Sequence, residues 1–271
     1  QEARTPGLAL ALSGGGFRAV LFHLGVLWRL NELGVLARLA RISSVSGGSI
    51  TSGLLAIRWP RLQFAGDGHS ALFQAEVVAP LREFCGRNLD VASVLTGASN
   101  PFRTAGEVVA DEYRRRLGMD ASLQSLPDEP RFVFNATNFA TGVSFRFSKP
   151  YAGDYRIGLM AKPSFDVATA VACSSAFPPV LAPIELEVRP EDFTRVEGAD
   201  LYDQVDYRRG LMLGDGGIYD NLALETVWGR YETVLVSDAG KPFETDAGIG
   251  TMAPRQLLRT MDIGLNQATA L

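Results

Sequence analysis

Histidine is almost missing from this chain: His23 and His69 are the two present among 271 residues. A Ser–acid–His hydrolase of the α/β type places its histidine last in chain order, and none follows residue 69. Cysteine is just as scarce. Cys85 and Cys173 make no disulfide framework, and with two histidines they offer no zinc-ligand spacing. No stretch approaches the roughly 20 apolar residues that cross a bilayer. Basic residues are few enough that the net charge is −4, which removes the electrostatic case for nucleic acid. The run Arg114, Arg115, Arg116 stands beside Asp111 and Glu112 and reads as a solvated helix face. No repeat, low-complexity tract or Pro/Gly/Ser-rich linker marks a boundary, so one domain is expected over residues 1–271. The two cysteines are compatible with a reducing compartment, and the expected location is the cytoplasm or the periphery of a membrane. The chain opens at Gln1 rather than methionine, so the lack of a signal-peptide pattern decides nothing about targeting.

What is present is a run of strand and helix signals in alternation. Leu8–Leu12 predicts a buried strand. A helix follows to about Leu33, with Val20, Leu21, Leu24, Leu27 and Trp28 at helical spacing, and Gly34 closes it as a C-cap. Arg41–Val45 predicts a second strand, and Ile50, Leu54, Leu55 and Ile57 a helix stopped by Pro60. Residues 61–126 read as largely helical, with loops at AGDGHS and GASNP. RFVFNATNFATGVSFRFS predicts a hairpin turning at Thr141–Gly142. A helix near Ser164–Ala172 precedes two prolines. LMLGDGGIYDNLALETVWG repeats the opening order of strand, glycine turn and helix. ETVLVSD predicts another buried strand, and the tail from Pro254 a helix. The expected fold is α/β, layered, with a mostly parallel central sheet flanked by helices.

The opening stretch LALALSGGGFRAV bares three consecutive glycines where a strand hands over to a helix. Each glycine costs roughly 0.5–1 kcal/mol relative to alanine, so a close approach to the main chain is expected. Unpaired N–H groups and the helix dipole make such a turn a site for an anion: a phosphate, a dinucleotide or a developing oxyanion. The Walker reading fails because no Gly-Lys-Ser/Thr follows. Gly14, Gly16 and Ala19 satisfy G-x-G-x-x-A, yet the end of the second strand, ARISSVSGG, carries no acid for a ribose. It carries Ser46 instead, in a sharp turn before Gly47 and Gly48, which reads either as a nucleophile elbow or as a helix N-cap. His23 lies inside an apolar helix and reads as a packing residue, and His69 lies in an exposed glycine-rich loop. Asp215, after the strand Leu211–Leu213 and before Gly216 and Gly217, reads either as a turn-former or as a carboxylate base at a strand end.

Taken together, four ordered blocks from about Gly7 to Trp228 resemble the patatin-like phospholipase family, related to the cytosolic phospholipase A2 catalytic domain. LSGGGFRAVLFHLGVLWRL resembles its oxyanion block, SVSGG its nucleophile elbow, ACSSAFPPV its small-residue and proline block, and DGGIYDN its aspartate block. The resemblance implies a lipid acyl hydrolase of phospholipase A type. Ser46 would be its nucleophile and Asp215 the sole partner in a Ser–Asp dyad. Gly14, Gly15 and Gly16 would form the oxyanion hole, with Arg18 supporting the turn or a head group. It further implies an acyl-enzyme intermediate, no metal or organic cofactor, and a lipid or acyl ester as substrate. One position departs: Ser44 stands where the family elbow usually has glycine. That departure is the support for an alternative, a catalytically silent lipid-binding module on the same fold. GLLAIRWPRLQF, ending in Trp59, Leu62 and Phe64, reads either as a core helix or as an acyl channel or membrane-facing lip.

Overall fold

A computed structural model of the chain describes residues 4–86, 105–178 and 181–240, with 243–246, 248, 250, 255–256, 259–261 and 263–264 of the tail. Among these residues ten strands form one sheet. β1 (Thr5–Leu12), β2 (Leu39–Ser44), β3 (Arg131–Asn138) and β10 (Tyr231–Ser237) run parallel in the spatial order β10–β1–β2–β3. Beyond β3 the sheet continues antiparallel through β4 (Val143–Ser148), β5 (Tyr151–Asp154), β6 (Gly158–Ala161) and β8 (Phe193–Thr194). β7 (Ile184–Glu187) pairs with β9 (Gly210–Asp215), and β9 pairs with β3.

The helices are α1 (Gly16–Glu32), α2 (Ser46–Arg58), α3 (Ala79–Gly86), α4 (Ala105–Leu117), α5 (Val167–Ser175) and the single turn α6 (Gly217–Asp220). Alternation along β1 shows why the sheet holds two layers apart. Leu10 and Leu12 enter the main core with Val20, Leu24 and Leu27 of α1, while Ala9 and Ala11 point to the other face against Val227 and Tyr231. Large side chains face the helices, and alanines face the close-packed turns of 221–230.

α2 is the central helix, with every residue from Ser46 to Ala56 buried. That burial explains its composition. Gly47, Gly48, Ser49, Ser52 and Gly53 let α1, α5 and the sheet approach on all sides, so the helix lacks an amphipathic stripe. α1 ends as expected: Gly34 lies in the left-handed region at φ +65, and its N–H donates to the Asn31 carbonyl at 3.0 Å.

Other expectations shift. The fifth helix begins at Val167 rather than near Ser164, because the Asp166 side chain caps it by accepting the Thr169 N–H at 2.8 Å. The region after Pro60 holds the expected loop at AGDGHS, between a 3-10 turn at Trp59–Arg61 and a π turn at Gln74–Val78, with α3 and α4 beyond. The GASNP loop lies outside the described residues. β10 is not a buried strand. Among the described residues it is the sheet edge, pairing with β1 alone, and its Glu232, Thr233 and Val236 are exposed. The arginine run of α4 pairs with its own helix, Arg114 with Asp111 at 2.7 Å and Arg115 with Glu112 at 2.5 Å. Arg114 also reaches the Asp166 carboxylate at 2.6 Å, anchoring α5 to α4.

Candidate active site

One edge of β3 decides how two distant turns meet. β4 occupies the other edge along residues 133–138. The free edge is shared: β2 takes Arg131–Phe134 in parallel, and β9 takes Ala136–Asn138 in antiparallel. β2 and β9 therefore run toward each other along the same edge, and their C-terminal ends meet near Asn135. Ser44 ends β2 opposite Phe134, and Asp215 ends β9 opposite Ala136. Asp215 does sit at a strand's C-terminal end, on an antiparallel strand.

Ser46 is not an N-cap. Val45 holds that position in an extended conformation, no side chain caps the helix, and Ser46 is its first residue at φ +52. The left-handed region costs an L-residue roughly 1–2 kcal/mol, and here it falls where the ends of β2 and β9 meet. Ser46 stands beside the Asp215 carboxylate: its hydroxyl favours the ionised form of that group, and the Ser46 and Gly216 N–H groups share Ser174 as their acceptor. The carboxylate is 2 % exposed, and its Oδ1 accepts the Gly217 N–H at 2.7 Å. Burial pushes the Asp215 carboxyl up to about 6, against the opposing pull of Ser46 and Gly217. At neutral pH it is ionised and more basic than an ordinary aspartate.

The glycines surround this pair for steric reasons. A Cβ on Gly47 would strike the Gly16 carbonyl oxygen, and one on Gly216 the Asn135 carbonyl oxygen. Gly48 passes over the Leu12 and Ser13 carbonyls, and Gly217 over the Asn221 side chain. The three consecutive glycines do not act alike. The Gly14 N–H already donates to the Asn221 carbonyl at 3.0 Å, which corrects the expectation of three free donors. Gly15 and Gly16, the N-cap and first residue of α1, are exposed, and their N–H groups have no intrahelical acceptor. No acidic side chain occupies the first turn of α1 to compete for an anion.

Ser44 fits its place. Its Oγ lies 2.7 Å from Ser52 Oγ and 3.0 Å from Ser49 Oγ, fully buried, so the hydroxyl that departs from the usual glycine is satisfied. Ser49 continues to Ser174 Oγ at 2.8 Å, and Asn135 Nδ2 donates to Ser43 Oγ and the Ser44 carbonyl. Ser174, Asn135 and Asn221 were not singled out from sequence. The signal lay in the paired serines before the prolines of ACSSAFPPV and in the last residue of DGGIYDN.

Both histidines are accounted for elsewhere. His23 is buried, its Nε2–H donating to the Ser13 carbonyl at 2.9 Å and its Nδ1 lying 2.7 Å from Ser237 Oγ, and burial lowers its pKa. It braces the residue before the glycine turn. His69 is half-buried rather than exposed, in a loop whose Asp67 and Gly68 pack on Gly34. That is the far end of the 17-residue α1, about 25 Å from the glycine turn. Arg18 Nη2 donates to the Ala239 carbonyl at 3.4 Å, supporting the turn beside Gly15.

The segment ending in Phe64 is core rather than lip. Leu62 is fully buried, and the Trp59 ring packs against Phe64 at 4.9 Å and Phe132 at 6.0 Å. The exposed apolar side chains next to the glycine turn are instead Phe17, Leu21 and Phe22. Among the described residues no group of three or more His, Cys, Asp or Glu is placed to hold a metal, and no helix is long and apolar enough to cross a membrane.

Human GIVD cytosolic phospholipase A2 in complex with methyl γ-linolenyl fluorophosphonate is similar at 20 % identity and a TM-score of 0.45, over 63 % of this chain and 29 % of that one. A second structure of human GIVD cytosolic phospholipase A2 is similar at 17 % identity and a TM-score of 0.40, over 83 % of this chain and 40 % of that one. VipD from Legionella pneumophila gives 15 % and 0.39, over 81 % and 47 %. The chain thus spans less than half the length of each of these structures. No curated protein sequence matches it. A family model, patatin-like phospholipase, matches residues 10–228, from within β1 to beyond the turn that carries Asp215. The chain belongs to the patatin-like phospholipase family.

Proposed function

We propose that this chain is a serine lipid acyl hydrolase that cleaves fatty-acyl esters of phospholipids, a phospholipase A type reaction run by Ser46 and Asp215. The observation that carries the reading is the juxtaposition of a strained serine and a buried carboxylate, both held by Ser174, beside two exposed glycine amides. Asp215 takes the Ser46 proton as Oγ attacks the acyl carbonyl carbon. The carbonyl π electrons move to oxygen, where the N–H groups of Gly15 and Gly16 and the α1 dipole stabilise the oxyanion. Collapse breaks the bond to the alcohol, which leaves with the proton from Asp215, and Ser46 keeps the acyl group. Water then attacks that ester, giving its proton to Asp215. Collapse of this second intermediate returns the proton to Ser46 and releases the fatty acid.

A carboxylate is a weak base for a hydroxyl, so the transfer is uphill. Raising Asp215 to about 6 lessens that mismatch. The satisfied hydroxyl of Ser44 removes the observation that favoured a silent lipid-binding module. The test is Ser46→Ala, measured on a soluble short-chain ester and with a fluorophosphonate probe. Turnover is expected to fall at least about 10⁴-fold and labelling to vanish, with an unchanged circular dichroism spectrum. A folded Ser46→Ala protein that still turns over ester at the wild-type rate overturns the reading.

A further inference from the structure

We infer that Ser174 is a positioning residue for the reaction proposed above, on which this inference rests: it joins the serine turn to the aspartate turn. Ser174 lies at the C-terminal end of α5, fully buried. Its Oγ accepts the N–H of Ser46 at 3.2 Å and donates to the Asn135 carbonyl at 2.6 Å. Its own carbonyl accepts the N–H of Gly216 at 3.2 Å, and the carbonyl of Ala176 accepts that of Asp215 at 2.9 Å. One residue therefore grips both halves of the pair, the serine side through its side chain and the aspartate side through its backbone.

The grip on Ser46 has a specific consequence. As the first residue of α2, Ser46 has an N–H with no intrahelical acceptor. Its left-handed φ is a strained state that persists where surrounding contacts hold it. Removing the Ser174 hydroxyl leaves that amide unpaired and lets φ relax, carrying Oγ away from Asp215. Gly216 stays held, because the carbonyl at 174 survives substitution. α5 also stays in place, because Asp166 caps its start and pairs with Arg114. The side chain at 174 thus bears on the alignment of Ser46 more than on the fold.

The experiment compares wild type, Ser174→Ala and Ser174→Cys on a short-chain p-nitrophenyl ester, with fluorophosphonate labelling and amide hydrogen exchange. A displacement near 1 Å at a reacting group costs about 100-fold, so Ser174→Ala is expected to lose about 10- to 100-fold in kcat with KM within about twofold. Labelling of Ser46 should still reach completion, slowed by the same factor. The Ser46 amide should exchange at least about tenfold faster while Gly216 stays protected. Ser174→Cys, which keeps a weak acceptor of similar size, should fall between. A merely structural role would lower the fraction of molecules that label and leave the rate constant of the rest unchanged, and that result overturns the inference. So does a Ser46 amide whose exchange does not respond. If the wild-type chain itself neither hydrolyses ester nor takes the probe, the functional reading fails separately, and the bridge is judged by the Ser46 exchange.

Discussion

Asp215 is pulled in two directions at once. Burial favours its neutral form, while Ser46 and the Gly217 N–H favour the carboxylate, and burial wins, to about 6. A base that must be ionised should give kcat/KM that falls as pH drops through about 6, and a pH–rate profile on a soluble ester checks this. The same shift carries a stability cost. Between 3.8, the ordinary aspartate value, and about 6 the folded chain binds a proton that the unfolded chain has released, so stability declines as pH rises across that window. At pH 8 the cost is on the order of 3 kcal/mol. Asp215→Asn should therefore lose about 10²- to 10⁴-fold in turnover and yet melt at a higher temperature than wild type at pH 8. That advantage should disappear below about pH 4. An asparagine variant less stable than wild type at pH 8 would contradict the assignment of burial as the dominant cause. The pairing was half legible in sequence: each residue sat in a glycine turn after a strand, and each had a plain structural reading of equal or greater weight. At Ser46 the N-cap reading falls to φ +52 and to Val45 in the cap position, a backbone arrangement that composition does not encode.

At the scale of elements, the elbow of β2 and α2 departs from the family pattern at Ser44 and compensates locally. The hydroxyl joins Ser49 and Ser52 on the first two turns of α2, so strand and helix are tied across the bend by side chains. Ser44→Gly, although it restores the usual residue, should destabilise the protein by about 1–3 kcal/mol, since buried hydroxyls lose a partner and the strand gains a flexible residue. Turnover per labelled active site should stay within about twofold. Thermal melts combined with fluorophosphonate titration separate the two effects, and a Ser44→Gly protein as stable as wild type would show that the serine network is dispensable. Helix and strand types were legible here from periodicity and glycine placement. The lip-or-core choice at Trp59, Leu62 and Phe64 was not, because an apolar stretch reads alike whether it meets lipid or Phe132.

Across the whole molecule, His69 stands far from the proposed dyad of Ser46 and Asp215. Its loop packs on Gly34 at the C-terminal end of α1, while Gly47 beside Ser46 packs on Gly16 at the other end. His69→Gln should keep turnover within about twofold, because a side chain about 25 Å away takes no part in proton transfer. A folded His69→Gln protein as inactive as Ser46→Ala would defeat the dyad. His23→Gln should behave differently: it breaks buried bonds to Ser13 and Ser237, costing about 1–3 kcal/mol of stability, with turnover per folded molecule largely kept.

Sequence alone determined the layered α/β order, the two glycine turns, and the absence of any histidine late enough for a conventional triad. These are local or compositional properties: periodicity, backbone tolerance and inventory. The tertiary structure decided which of three glycine amides remain free, since the claim of Asn221 on Gly14 is made across the fold. It also decided that β10 lies at the edge among the described strands and that Ser174 grips both turns. Above all it decided the meeting of Ser46 with Asp215. That meeting depends on β2 and β9 sharing one edge of β3 from opposite directions, a register relation between segments far apart in the chain that no local pattern carries.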